Sequence, residues 1–476
     1  MADEERKTTR SSDEDLLLEI RDRYKYASEA WEEIRKERQK DLRYICGDPW
    51  EPEDRNARAA AGRPCVNHDE LNQYVNQAVN NLRQNKRGVK VEPGGNGADG
   101  KSAELRQDLI RTVEYRSKAQ QAYLRAAQDM LEGSYGFFRI GRKYVIDNPA
   151  DDDPHAFDQE ITLGPIPNPD SVLYSPDTKQ PDWSDAEWCF VVEPLSTEEF
   201  LRQYPNAEKR DFSAEDIRVA KDWFSDKTVL VAEYWKVITT ERELVKGKKR
   251  RKVQQKRVCQ YITNGLEILD EIEHPGCEIP IPAVVGLERY VDEGSGPKRK
   301  LFSLCRLARD PQMSLAYLNS QQTEEAGLSP KVPYIGYKGQ FDADEDAWEN
   351  LNRIPRSYVQ VDPVTDPTGQ TILPLPQRQA FTPNFQEYEI AKDSCRRAIQ
   401  AAMGISPLPT AAQRTNEKSG IAIERIQDQE ALGSYHFTTG YERAIERAGR
   451  IIESWIPAIY DNKREMGLRQ PTTRTR

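Results

Sequence analysis

The sequence predicts an α+β protein, and three observations carry the prediction. As far as Gly133, apolar residues recur at three- and four-residue steps, the stripe of amphipathic helices. From Phe137 the period changes to short β-rich runs divided by Pro, Asp and Gly. Helical spacing returns at Arg306, breaks for a Pro-rich stretch, and resumes from Asn384 to Asp461, so helices and strands are segregated rather than alternating.

Taken in order, residues 1–12 are polar and expected to be disordered. Ser12 followed by Asp13, Glu14 and Asp15 reads as a helix start, because acidic groups suit the positive end of the helix dipole. Ile20, Tyr24, Ala27, Trp31, Ile34, Leu42 and Ile45 then mark one face of a long helix ending near Gly47. GDPWEPEDRNARAAAGRP reads as a loop. A second helix is expected from Asn67 to Asn85, with Leu71, Val75, Ala78, Val79 and Leu82 inward. A third, from Ala103 to Gly133, carries Leu105, Leu109, Val113, Ala119, Tyr123, Ala126 and Met130.

The strand region comprises FFRIGRKYVI, ITLGPIP, SVLYSP, WCFVVEP, VLVAEYWKV and VCQYITNGLEILDEI, with EEFLRQYP and SAEDIRVAKDWF as short helices among them. KGKKRRKVQQKR, Lys246 to Arg257, joins two strands. It reads either as a phosphate-contacting patch or as a solvated hairpin tip, and the absence of interleaved aromatics favours the second. Arg306 to Ala326 is helical, with Leu307, Met313, Leu315, Leu318 and Gln322 as contacts. The insert from Leu328 to Gln379 holds short strands (KVPYIGY, RSYVQVD, ILPLP) and one helix at Asp344 to Asn350. Phe385, Tyr388, Cys395, Ile399 and Ala402 stripe the next helix, which Gly404 and Pro407 stop. After a polar break, Ser419 to Tyr460 would span roughly 60 Å as a helix. Gly433, Gly440 and Gly449 weaken its interior, so a bend is expected among them.

At 476 residues the chain is long enough for more than one core. Charged residues make up 31% and hydrophobic residues 37%, so much of the chain is surface. No apolar run approaches the ~20 residues of a membrane span, and the N-terminus lacks a signal-peptide pattern. A cytoplasm or an assembled particle is the expected location. The net charge of −10 argues against tight, general DNA binding, but not against a surface that DNA passes without sticking. The seven cysteines and four histidines show no metal-ligand spacing, so neither metal nor cofactor is expected.

Gly95 to Ser102, GNGADGKS, matches the phosphate-loop pattern G-x-x-x-x-G-K-[ST]. Gly95 and Gly100 would shape the loop, Lys101 would reach the terminal phosphates and Ser102 would hold Mg²⁺. The preceding VKVEP contains Lys90, Glu92 and Pro93, unlike the buried parallel strand that feeds such a site, and no strand–helix alternation surrounds it. A flexible loop is therefore favoured, with a nucleotide-binding ATPase kept as the alternative.

The order of elements, with GDPW, GRPCVNHDELNQYVNQAVNNLRQN, NPDSVLYSPDTKQPDWSDAEW, LARDPQMSLAYLNSQQTEEAGLSPKVPYIG, NEKSGIAIERIQDQE and ERAGRIIESWIPAIYD, resembles the portal (head–tail connector) proteins of tailed bacteriophages. The resemblance is to the long-chain type found in short-tailed phages, and it runs from GDPW to Tyr460. It implies a wing at 13–305, a first stem helix at 306–327, a clip at 328–379 and a second stem helix at 380–403. A tunnel loop at 404–418, a kinked wing helix at 419–461 and a polar tail at 462–476 complete the assignment. Portals of this type continue into further wing strands, a crown and a helical barrel, which REMGLRQPTTRTR does not supply, so crown and barrel are expected to be missing.

The function implied is structural, not enzymatic: a twelve-fold ring at one capsid vertex through which double-stranded DNA is packaged and ejected without sequence specificity. Implied partners are further copies of the chain, the terminase large subunit, head–tail adaptor proteins, and the major capsid and scaffolding proteins. The implied locations are the virion and, during assembly, the host cytoplasm. Gln413, Arg414, Asn416 and Lys418 are the polar residues of the break between the central helices and are expected to face DNA. Lys331, Tyr334, Tyr337, Trp348, Arg353 and Arg356 are the expected clip contacts with partners. A virion scaffold or adaptor without a channel is a further alternative.

Overall fold

The computed structural model describes residues 2–94, 99–146, 153, 155–205, 207, 223–225, 228–246, 249–292, 294, 296–328, 334–351, 354, 356–366, 369, 371–378, 385–404 and 435–461. The fold is α+β, and every described strand pairing is antiparallel. The chain divides into two compact units. One comprises Met1–Leu42, Gln73–Arg306 and Gly404–Arg476; the other comprises Arg43–Asn72 and Leu307–Met403.

In the first unit, α1 (Ala2–Ile45) begins ahead of the Ser12 start read from sequence, its opening turns being rich in the helix formers Ala, Glu, Arg and Lys. Ile20, Ala27 and Trp31 are buried as the periodicity predicts, but Arg38 and Asp41 continue the buried face. α3 (Leu71–Gln84) follows its predicted stripe. The single helix read at 103–133 is two, α4 (Gly100–Arg116) and α5 (Ala119–Gly133). Lys118 adopts φ 52° between them, a left-handed conformation that ends one helix and redirects the chain.

Three sheets follow. β1 (Tyr135–Tyr144) lies between β2 (Gln159–Pro165) and β9 (Ala283–Val285). The main sheet runs β3 (Val172–Tyr174), β4 (Trp188–Ser196), β6 (Thr228–Lys246), β7 (Lys249–Thr263), β8 (Ile268–His274), with β5 (Phe224–Ser225) also on β6. α6 (Thr197–Gln203) follows β4, with Ser196 capping it at Glu199 N. Asn264–Gly265 splits VCQYITNGLEILDEI into β7 and β8, with Gly265 at φ 82°. The helix read at SAEDIRVAKDWF lies largely outside the described residues. β10 (Leu287–Asp292) and β11 (Pro297–Phe302) form a hairpin that the sequence reading passed over.

An aromatic cluster forms the centre of this unit. The Trp31 ring meets Tyr135 at 5.2 Å and Trp183 at 5.7 Å, both edge-on, and its Nε1 donates to the Tyr174 carbonyl at 2.9 Å. α10 (Tyr435–Ile459) buries Phe437, Tyr441, Ile445, Ile452 and Trp455. It passes through Gly440 and Gly449 as one helix; these glycines are close approaches, where an added Cβ would lie 1.9 Å from the Val285 carbonyl oxygen and 2.6 Å from Val89. Gly433 and the rest of 419–434 lie outside the described residues.

In the second unit the stretch read as a loop contains α2 (Pro52–Ala60), with Pro at its start and Glu53 and Asp54 in the first turn. Trp50, from GDPW, is buried edge-on against Tyr317 at 4.7 Å, with Arg58 over both rings. Tyr317 belongs to α7 (Arg309–Leu328). The insert holds β12 (Tyr334–Ile335), α8 (Glu345–Asn350) and β13 (Gln377–Arg378), with β12 paired to β13. RSYVQVD is not a strand, and ILPLP contributes one bridge, Thr365↔Ile372, because its prolines remove ladder donors. α9 (Phe385–Met403) closes the unit.

Candidate functional site

The candidate site is the α7–α9 pair and the insert between them. The two helices run antiparallel, since Glu325 meets Tyr388 while Gln322 meets Glu389 and Lys392 further along. Their seam is polar. Tyr388 donates to Glu325 Oε1 at 2.5 Å, and this bond, ahead of burial, pushes the phenol up to about 12. Lys392 is buried and donates to Gln322 Oε1 and to Glu389 Oε1, the latter at 3.2 Å. At the other end Ile399 and Met403 are buried, whereas Phe385 and Ile390 are exposed.

α7 has a polar inner face as well. Gln312 Nε2 donates to Asn67 Oδ1 at 2.9 Å and to the His68 carbonyl at 2.8 Å. Ser320 Oγ accepts from Val66 N at 2.8 Å. Arg396 on α9 reaches Glu70 at 3.2 Å. Segment 66–70 is thus tied to both helices through side chains that a search for apolar stripes overlooks.

Within the insert, Tyr334 and Phe341 meet Trp348 edge-on at 5.2 and 5.1 Å, and Arg378 lies over Tyr334. Trp348 Nε1 donates to the Gln360 carbonyl at 2.8 Å. Buried Gln340 donates to the Pro374 carbonyl and accepts from Tyr337 N. Of the expected clip contacts, Tyr334 and Trp348 are therefore engaged in holding the insert together. Tyr337 and Arg356 are exposed, and Lys331 and Arg353 lie outside the described residues. Among the described residues of the insert, the exposed large apolar side chains are Ile335, Tyr337, Ile354, Tyr358, Ile372 and Leu375. Sequence reasoning missed all but Tyr337, because short Pro-broken runs have no periodicity to separate inner from outer faces.

Gln413, Arg414, Asn416 and Lys418 lie outside the described residues, as does Gly95. Gly100, Lys101 and Ser102 open α4, with Asp99 as its N-cap. Its carboxylate accepts from Lys101 N at 3.2 Å and its carbonyl from Ser102 N and Ala103 N at 3.1 and 3.2 Å. VKVEP is not a strand. Among the described residues no group of three or more His, Cys, Asp or Glu is placed to hold a metal, and no helix is long and apolar enough to cross a membrane.

Where the first unit's chain leads into α7, Arg306 grips Asp41 through Nε at 2.9 Å and a terminal nitrogen at 2.7 Å, and Ser303 Oγ donates to the same carboxylate at 2.7 Å. Asp41 is fully buried, so this two-pronged pair is well placed to hold its geometry.

A family model for phage P22-like portal proteins matches residues 21–470. A portal protein of Acyrthosiphon pisum secondary endosymbiont phage 1 is 23% identical over 441 residues, covering 84% of this chain and 59% of the relative. The chain therefore spans about three fifths of that relative's length. With the match extending through both units, the chain belongs to the phage P22-like portal protein family.

Proposed function

We propose that the chain is the subunit of a closed, non-enzymatic ring at a phage capsid vertex through which double-stranded DNA enters and leaves. The α7–α9 pair is the stem beside the channel, 404–418 bridges toward it with Gln413, Arg414, Asn416 and Lys418 facing DNA, and α10 belongs to the wing. The insert is the clip, which meets the packaging motor and later the tail adaptors. The observation that carries this reading is the antiparallel helical pair joined by a small insert on which Ile335, Tyr358, Ile372 and Leu375 are each exposed. Four large apolar side chains left exposed on so small a body suit a contact site, which neighbouring subunits or a docked partner would cover.

The ATPase alternative is disfavoured by the Asp99 cap, whose carboxylate holds Lys101 N, one of the amides a phosphate loop must offer. Light scattering of the purified chain tests the ring. The expected result is one large species, reduced in size by Ile372→Glu combined with Leu375→Glu. A monodisperse 54.6 kDa monomer under all conditions would count against it.

A further inference from the structure

β4 pairs with β6 only from Ser196↔Thr228 to Trp188↔Lys236, and β8 pairs with β7 only between Val258 and Thr263. The β6–β7 pairing itself continues to Lys246↔Lys249. A two-stranded ribbon therefore projects past its neighbours, with Ile238 to Lys246 extending about 30 Å at ~3.4 Å per residue. Thr239 to Glu243 and, Val253 apart, Arg250 to Arg257 are exposed.

We propose that this ribbon is a docking surface for the phosphate backbone of duplex DNA, built from residues other than those proposed to face DNA in the channel. Arg242, Arg250, Arg251, Lys252, Lys256 and Arg257 stand on it against Glu241 and Glu243, in a chain whose net charge is −10. The register sets Arg242 opposite Val253 and Leu244 opposite Arg251, so strand alternation puts Arg242, Arg251 and Arg257 on one face. Neither glutamate shares that face. Both lie on the other, where Glu243 pairs with Arg250 at 4.0 Å and Glu241 with Lys252 at 3.3 Å. Arg257, at the base, is shared with Glu273 at 3.8 Å.

The chemistry selects the partner. Protein interfaces have an apolar core, whereas the exposed residues of this face are Thr240, Arg242, Arg251, Gln255 and Arg257. Single strands are held by stacking on aromatics, and Ile238 to Arg257 contains none. Duplex phosphates ask only for exposed, donor-rich cations, and a two-stranded ribbon matches the width of the major groove.

The test is fluorescence anisotropy of the full chain with a labelled mixed-sequence duplex over a series of salt concentrations. Wild-type chain is expected to bind, with affinity falling steeply as salt rises. Arg242→Gln with Arg251→Gln is expected to weaken binding about tenfold or more and to flatten the log–log salt slope by roughly 0.9 for each phosphate no longer neutralised. Glu241→Gln with Glu243→Gln is expected to tighten it. No binding by the wild type at low salt, or unchanged affinity and slope in the arginine variant, overturns the proposal. Unchanged DNA binding with a loss of particle mass also overturns it, in favour of an interface between copies. Because particle mass is read separately, failure of the ring reading and failure of the ribbon reading are distinguishable.

Discussion

Arg447 is fully buried on α10, donating to Glu278 at 3.2 Å and to the Asp182 and Ile279 carbonyls at 2.8 and 3.3 Å. One side chain thus ties the helix to two loops, and it stands among Ile445, Ala448 and Ile452 where an apolar stripe alone was legible. Arg447→Ala should lower unfolding free energy by about 3 kcal/mol, since it strands a charge and two carbonyls, as measured by urea denaturation.

His274 lies against the Trp235 ring at 4.7 Å and the Trp455 ring at 5.8 Å, with Nε2 at 2.8 Å from Gln260 Oε1. Burial, then Arg142 and Arg139, pushes it from 6.5 down to about 4. Between those values the unfolded chain binds more protons than the folded one. The stability His274 contributes is therefore complete above pH 6.5 and lost as pH falls toward 4. His274→Gln should show a shallower loss of stability over that window. Nothing in the sequence marks this histidine, because its shift comes from aromatic and arginine neighbours distant along the chain.

At the scale of elements, the periodicities of α1 and α3 were legible because each buries an apolar stripe at helical spacing. By contrast Leu307, just before α7, and Phe385 on α9, both read as inward, are exposed, and Gln312, Asn319, Ser320 and Lys392 are buried instead. Backbone conformation was less legible. The break between α4 and α5 rests on Lys118 at φ 52°, a conformation that residue type does not announce. Lys118→Gly should raise stability by up to ~1 kcal/mol by relieving left-handed strain, read as a higher thermal midpoint. The glycines of α10 were legible as residues but not in role: they read as weak points, whereas Gly440 admits the Val285 carbonyl. Gly440→Ala should cost about 1–3 kcal/mol through overpacking, where helix propensity alone would predict a gain of about 1 kcal/mol. The strand content of the Pro-broken insert was not legible, since its few ladder bonds leave side-chain packing around Trp348 to hold it.

For the whole molecule, the ordered motifs identify the family, while the exposed apolar side chains of the insert and the projecting basic ribbon emerge only once strands are paired and faces assigned. Both are surfaces that a single chain leaves uncovered, and the proposed ring and its DNA give each an occupant. The same account predicts that the Gly100 helix start is structural: Lys101→Ala should leave particle mass unchanged, and neither it nor the wild type should turn over ATP. The central claim is that the α7–α9 pair borders a shared pore. A cryo-electron microscopy reconstruction of the purified particle tests it most directly. The account predicts a closed ring with α7 and α9 nearest the symmetry axis and the insert at one mouth. A particle in which these helices lie on the outer rim, or in which no axial opening exists, would contradict it.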